Sequence, residues 1–345
     1  MVMLDGTFIE SHLLYDVSDP VHPRLICSIT NTSAHLVAGG IAWLKQISAN
    51  ETDAVLHSLT GGNDSLIGTF PFRLQFGAWL PDLSVAAYTM PVPPDNANFP
   101  AGGTQVWLYS HGLTGPLYTY RNGFGDCLCR FGLSPPVLAI SPDGQYIVAG
   151  RIAGKGSEPL AVYRVSDRTR MATLDNTSVA FWDRTGHRLF LELFGTPVAQ
   201  FWTPEAGASN LPGASFWSFL AGQSPDGTQV AYTAYIDPFA TAASPLRVYV
   251  YDLKAAKTRM LVDKLRTQAL FVKDGWVWYL EEAQCDPQVC GAPGGTMPTG
   301  KVFAMQLSTG AESEVSFAPG ENPVVQPAGP ANWLPFGPGE FWPAT

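Results

Sequence analysis

Charged residues are scarce in this chain of 345 residues. Only 14% of its positions are Asp, Glu, Lys or Arg, and 20 basic residues stand against 29 acidic ones, which gives a formal net charge of −9. Proteins that bind phosphate backbones use basic patches to displace counterions, and no block of Lys and Arg occurs here. We therefore expect no nucleic-acid partner.

Long apolar runs are also missing. No stretch approaches the roughly 20 residues that a bilayer-spanning helix needs, so we expect no membrane span. The first residues, Met1–Gly6, have neither the basic head nor the apolar core of a signal peptide. The protein is then either cytoplasmic or exported, with its export signal outside this sequence. The low charge, ten Trp residues and paired cysteines favour an exported, extracytoplasmic protein.

Cysteines are few, and four of the five form close pairs. Cys285 and Cys290 lie in a Gly- and Pro-rich segment, which predicts a local disulfide. The spacing of Cys127 and Cys129 is tight for a disulfide, and the rival interpretation is thiolate metal ligation. No His stands at ligand spacing to these cysteines. Cys27, in an apolar run, is interpreted as a buried small hydrophobe. We expect no cofactor, with a divalent metal left open.

The common catalytic signatures are absent. Gly222–Asp226 lacks the second Gly of a nucleophile elbow, and neither a P-loop nor a dinucleotide fingerprint occurs. The fold has to be sought in what the chain does contain.

Internal repeats are the main positive signal. Leu138–Gly150 and Ala221–Tyr232 both show a strand, a Ser-Pro-Asp-Gly turn and a second strand. Pro supplies the fixed φ of the second turn position, and Gly tolerates positive φ. Weaker copies are Ala78–Tyr88, Ala180–Phe190 and Leu270–Tyr279. Each copy precedes a further strand pair rich in β-branched and aromatic residues.

Repeated four-strand units about 40–60 residues apart are typical of a β-propeller. The N-terminus leaves two strands over, Ser11–Val17 and Pro23–Cys27, and the C-terminus leaves Ala331–Phe336 and Glu340–Trp342. We therefore predict an all-β fold, a seven-bladed β-propeller of four-stranded antiparallel blades. The ring is closed by N-terminal and C-terminal strands in one shared blade, which hides the sheet edges. The chain would be a single domain, 1–345. The predicted blades are 331–345 with 8–30, 34–70, 72–121, 135–175, 178–213, 216–263 and 267–318.

The Ser-Pro-Asp-Gly copies resemble the TolB-type, WD40-like propeller repeat, most clearly between about Phe72 and Phe317. The resemblance implies that the motif turns lie opposite the usual binding face. It therefore implies a structural role, capping turn amides, for four aspartates. They are Asp82, Asp143, Asp226 and Asp274.

The loops on the other face vary most and are the candidate binding surface. Their polar residues form the candidate site, namely Arg121, Asp126, Arg130, Arg151, Glu281 and Glu282. The two glutamates with Asp286 suggest ligands for a hard cation, and the rival interpretation is a solvated strand end. The arginines and Asp126 either pair with each other or bind an anionic ligand. Most Trp residues fall inside predicted strands, which indicates packing between blades rather than sugar platforms.

These observations predict a non-catalytic extracytoplasmic scaffold, a propeller that binds a protein, peptide or glycan partner on its loop face. The alternative is a hydrolase or lyase with an active site at the channel mouth, with or without a metal. A third possibility is a structural subunit of a larger assembly. Fold alone does not choose among them.

Overall fold

The computed structural model describes most of the chain. The described residues are 2–5, 11–30, 34–59, 62–74, 77–93, 103–121, 137–150, 160–175, 177–193, 198–215, 219–236, 245–284, 296–319, 321 and 340–341. They form 28 strands arranged in seven four-stranded antiparallel sheets. The predicted fold class, an all-β protein with seven propeller blades, is confirmed. Among the described residues no helix is present that is long and apolar enough to span a bilayer.

Sheet one joins the two ends of the chain, as predicted. Its strands are β1 (Val2–Asp5), β2 (Ser11–Asp16), β3 (Arg24–Thr30) and β28 (Glu340–Phe341). The order is β28-β1-β2-β3, and Val2 lies opposite Phe341. Three strands therefore come from the N-terminus and one from the C-terminus, where the sequence predicted two from each. The predicted strand Ala331–Phe336 lies outside the described residues.

The other six sheets follow one another along the chain. Sheets two to four contain β4 (Ala34–Val37), β5 (Gly40–Ser48), β6 (Glu51–Ser58) and β7 (Ser65–Phe70); β8 (Ala78–Trp79), β9 (Val85–Val92), β10 (Gly103–Ser110) and β11 (Leu113–Arg121); and β12 (Val137–Ile140), β13 (Tyr146–Gly150), β14 (Leu160–Arg164) and β15 (Arg170–Leu174). Sheets five to seven contain β16 (Thr177–Trp182), β17 (Leu189–Leu193), β18 (Val198–Thr203) and β19 (Gly207–Ser215); β20 (Phe219–Gln223), β21 (Gln229–Tyr235), β22 (Leu246–Asp252) and β23 (Lys257–Met260); and β24 (Arg266–Lys273), β25 (Trp276–Gln284), β26 (Thr296–Gln306) and β27 (Ala311–Glu314).

The repeat turns have the hydrogen bonds that their sequence predicts. In sheet four, the Gly144 amide donates to the Ser141 carbonyl at 2.8 Å, and Asp143 Oδ1 accepts from the Gln145 amide at 3.1 Å. Gly144 has φ +70°, a conformation that suits glycine. Asp226 caps the corresponding turn of sheet six in the same way.

The other two motif aspartates also accept backbone hydrogen bonds. Asp82 accepts from the Ser84 amide at 3.0 Å, within its own turn. Asp274 accepts from the Asp226 amide at 3.0 Å, which links the turns of two successive sheets. The capping role predicted for these aspartates is therefore seen in the structure.

The chain divides into two compact units. Unit one comprises 1–31, 196–199 and 210–345, and unit two comprises 32–195 and 200–209. The single-domain interpretation stays a prediction.

Each unit has apolar clusters between successive sheets. In unit one, one face of sheet seven packs on sheet one around Trp278, and its other face packs on sheet six around Tyr279. In unit two, Trp79 and Trp182 lie in the corresponding clusters. The expectation that tryptophans pack between blades holds for these three residues.

Candidate functional site

The structure locates two of the six predicted site residues with their side chains. Glu281 and Glu282 are adjacent near the end of β25. Arg121 ends β11, and its side chain is not among those described. The other three, Asp126, Arg130 and Arg151, lie outside the described residues, as do Cys285 and Cys290 with their predicted disulfide. The site can therefore be built only around the two glutamates.

Both glutamates lie at what we call the loop end of sheet seven. There β24 begins, β25 ends at Gln284 and β26 begins at Thr296. The register pairs Arg266 with Glu281 at this end, and Lys273 with Trp276 at the opposite end, where the repeat turn lies. This is the end that the sequence predicted for binding.

Arg266 is the central cation of the loop end, and it is almost fully buried. Its guanidinium donates to Glu312 Oε1 from Nε and from Nη2, each at 3.2 Å, and to Glu281 Oε1 from Nη1 at 3.3 Å. Its Cζ lies 4.3 Å from the ring centroid of Phe303, within cation–π range. We call Arg266, Glu281, Glu312 and Lys264 the ion cluster, because Lys264 donates to the second oxygen of Glu312.

The ion cluster is balanced in charge. Burial raises the pKa of Glu312, but hydrogen bonds from Lys264 and Tyr279 and the charge of Arg266 lower it by more, so its pKa lies below the usual range. Burial, and then the charge of Glu312, raise the pKa of Tyr279, which keeps its hydroxyl as a donor. Two cations and two carboxylates leave no net charge at this point, so the cluster holds the loop end together and presents no unpaired group.

Glu282 is in a different state from its neighbour. Only 4% of its surface is exposed. Its Oε2 accepts from the hydroxyl of Thr296, while among the described residues Oε1 has no hydrogen-bond partner. Burial raises the pKa of Glu282, and the Thr296 hydrogen bond offsets only part of that rise. The rival expectation of a solvated strand end is wrong for Glu282.

A second buried oxygen without a partner lies on the adjacent strand. Thr267 is fully buried, and its Oγ1 has no hydrogen-bond partner among the described residues. The register places Thr267 opposite Leu280, two positions from Glu282 on β25. Side chains alternate along a strand, so Thr267 and Glu282 share a face as diagonal neighbours. Sequence reasoning missed Thr267, because nothing in its local pattern marks it.

The backbone next to Thr267 is strained. Gln268 has φ +56°, which a residue with a side chain rarely adopts, and it lies in a register shift of the inner strand β24. Its amide donates to the hydroxyl of Thr233 at 2.8 Å. Strained backbone inside a packed sheet persists only when its surroundings enforce it, and it concentrates at functional sites. The strained backbone at Gln268 therefore supports the loop end of sheet seven as the candidate site.

The side chains of Glu281 and Glu282 point to opposite faces of sheet seven. Successive residues of a strand point to opposite faces, and Glu281 lies with Arg266 on the face toward sheet six. Glu282 follows Leu280 on the face toward sheet one. Among the described residues, no group of three or more His, Cys, Asp and Glu side chains is placed to hold a metal ion. The hard-cation hypothesis of the sequence gains no support from the described part of the chain.

Comparison with known proteins gives similarity in structure only. No protein-family model matches the chain, and no curated protein matches it in sequence. Solved structures similar to it include TolB from Acinetobacter baumannii, with 15% identity, a TM-score of 0.38 and coverage of 90% of this chain and 78% of TolB. An oligogalacturonate lyase in complex with manganese has 12% identity, a TM-score of 0.49 and coverage of 81% and 86%.

A third similar structure is the β-propeller domain of the Trilobed protease from Pyrococcus furiosus. It has 12% identity, a TM-score of 0.42 and coverage of 82% of this chain and 96% of that domain. These proteins include enzymes as well as others, and similarity at this level assigns none of their activities or partners to this chain.

Proposed function

We propose that this chain is a non-catalytic binding protein that acts outside the cytoplasm and takes a protein or peptide partner at the loop end of sheet seven. The observation that carries the proposal is Glu282, a buried carboxyl with one oxygen unpartnered among the described residues. Burial of a carboxylate without a partner costs free energy. A bound partner that supplies the missing donor recovers that cost.

The geometry favours binding over catalysis. A hydrolase that uses paired carboxyls needs both groups on one substrate bond, whereas Glu281 and Glu282 point to opposite faces of the sheet. Glu281 is also held by Arg266 and by the hydroxyl of Thr299. These two contacts hold its carboxylate within the sheet and away from Glu282.

The geometry also favours a protein or peptide over a glycan. Sugar-binding sites commonly offer an exposed aromatic ring. Trp278 and Tyr279 of sheet seven are fully buried in the packing between sheets. Trp276 is partly exposed, but it lies at the repeat-turn end, opposite the proposed binding surface. A glycan is therefore the second choice for the partner.

Site-specific photo-crosslinking tests the proposal. A benzoylphenylalanine is placed at Gln284, which is exposed at the loop end, and in the control at Lys254, which is exposed at the repeat-turn end of sheet six. After irradiation with the envelope fraction of the producing cells, we expect one discrete adduct from position 284 and none from position 254. Equal labelling at both positions, or turnover of simple esters or glycosides by the unmodified chain, contradicts the proposal.

A further inference from the structure

Resting on the proposed binding function, we propose that Glu282 and Thr267 form an anchor site for a primary ammonium group, the side chain of a lysine on the partner. The two side chains lie on one face of sheet seven, on neighbouring strands. Each presents an oxygen that has no hydrogen-bond partner among the described residues. An ionised carboxylate oxygen only accepts hydrogen bonds, and the Thr267 hydroxyl can accept as well as donate, so a single donor group can complete both.

In its ionised form Glu282 calls for a positively charged donor, because among the described residues it has no counter-ion. The cations on sheet seven at this end are paired with other carboxylates: Arg266 binds Glu281 and Glu312, and Lys301 binds Glu314. Among the described residues, the causes of the raised pKa of Glu282 are burial and the Thr296 hydrogen bond, and no positive charge is one of them.

The undescribed residues of unit one do not supply the charge either. They are 1, 6–10, 196–197, 216–218, 237–244, 285–295, 320, 322–339 and 342–345, together with Asn31. None of these positions is Lys, Arg or His. No undescribed side chain of unit one is therefore a cation that could neutralise Glu282, and the proposal places that cation on the partner.

The oxygen geometry selects an ammonium over a guanidinium. A guanidinium binds a carboxylate best through two parallel hydrogen bonds to both oxygens. One oxygen of Glu282 is already taken by the Thr296 hydroxyl. An ammonium is a compact point charge with three donors, and it can bond the remaining carboxylate oxygen and the Thr267 hydroxyl together. The four-carbon stem of lysine also lets its charge reach a carboxylate that lies below the surface.

The charge of the whole chain acts in the same direction. A net charge of −9 attracts cationic partners and repels anionic ones. Long-range attraction brings a basic segment to the surface, and the anchor site then selects the lysine.

The test uses N-acetyl-lysine-methylamide as the probe, titrated into the full chain by calorimetry at pH 7 and low salt. N-acetyl-norleucine-methylamide, which lacks the ammonium, is the matched control ligand. We expect the lysine probe to bind at least 10-fold more tightly than the norleucine probe. We also expect Glu282→Gln to weaken the lysine probe at least 10-fold and Thr267→Val to weaken it by a smaller factor. Glu314→Gln, which changes an exposed carboxylate on β27, should leave binding unchanged.

Equal affinity for the two probes refutes the anchor site, and so does unchanged lysine binding in Glu282→Gln. The outcome stays separable from the proposed function. If the adduct at position 284 still forms while the lysine probe fails to bind, the proposed binding surface is supported and the ammonium site is refuted. If that adduct is absent while the lysine probe binds through Glu282, the ammonium site is supported and the proposed protein partner is refuted.

Discussion

Replacement of Glu282 by glutamine should remove the pH dependence that this residue gives to stability. Glutamine has nearly the same shape as a protonated glutamate and carries no charge. Because burial raises the pKa of Glu282 in the folded chain, the folded state holds that proton more tightly than the unfolded state does. The stability due to Glu282 is therefore complete below about pH 4.5, near its unfolded pKa, and is lost as the pH rises through the folded pKa.

The magnitude follows from linkage. Between the unfolded and the folded pKa, only the folded state holds the proton. As the pH rises through this range, the free energy of unfolding falls by at most about 1.4 kcal/mol for each pH unit. At pH 4 the wild-type chain and Glu282→Gln should differ only through the altered hydrogen bonds of the amide, about 1 kcal/mol. From there the difference should move steadily in favour of Glu282→Gln, and it should level off once Glu282 is ionised in the folded state.

Urea unfolding followed by tryptophan fluorescence, at half-unit steps from pH 4 to pH 8, measures this difference. Subtraction of the two curves cancels the titration of all other groups. Glu314→Gln is the control, because it makes the same change of side chain at an exposed position of the same sheet. A flat curve for Glu282→Gln, or one that moves in favour of the wild-type chain as the pH rises, would refute the reasoning.

Three further predictions concern packing and turns, and all are read from urea unfolding. Arg266→Met removes the buried cation that two partly buried carboxylates of the ion cluster share, and it should cost about 3–5 kcal/mol. Arg24→Met, at an exposed ion pair, should cost under about 1 kcal/mol. Equal costs would contradict the central role of the cluster. Gly186→Ala should lower the free energy of unfolding clearly more than Gly310→Ala. Both glycines have positive φ, but only at position 186 would the new Cβ meet a neighbouring side chain, that of Asp143, at 2.7 Å. Similar losses would mean that Asp143 can move away from this turn. Trp278→Phe leaves a buried carbonyl of sheet one without its 2.9 Å donor and should cost about 1–3 kcal/mol; a neutral effect would contradict that hydrogen bond.

The sequence was informative about the fold because each blade repeats the same local chemistry. The Ser-Pro-Asp-Gly turn encodes its own hydrogen bonds, as Asp143 and Asp226 show. The division of the shared sheet was harder to predict. Val2–Asp5 is too short to be recognised as a strand without its partners.

The position of the candidate site could be predicted from the sequence, but the pairing and burial of its side chains could not. The position of Glu281 and Glu282 at the end of a strand follows from the repeat. Glu281 is paired and Glu282 is buried because of how neighbouring strands and sheets pack, and a local sequence pattern does not show that packing. Arg266 and Glu312 were missed for the same reason, because they lie 46 residues apart and meet only through the sheet.

The most direct test of the central claim, that Glu282 is a buried carboxyl waiting for a partner's cation, is its own titration curve. The side-chain carboxyl carbon of Glu282, assigned by its loss in Glu282→Gln, is followed by NMR from pH 3 to pH 9 with and without the lysine probe. The account predicts a pKa above the ordinary glutamate value in the free chain and a marked fall when the probe is bound. An ordinary pKa in the free chain, or a raised pKa that the probe leaves unchanged, would contradict it.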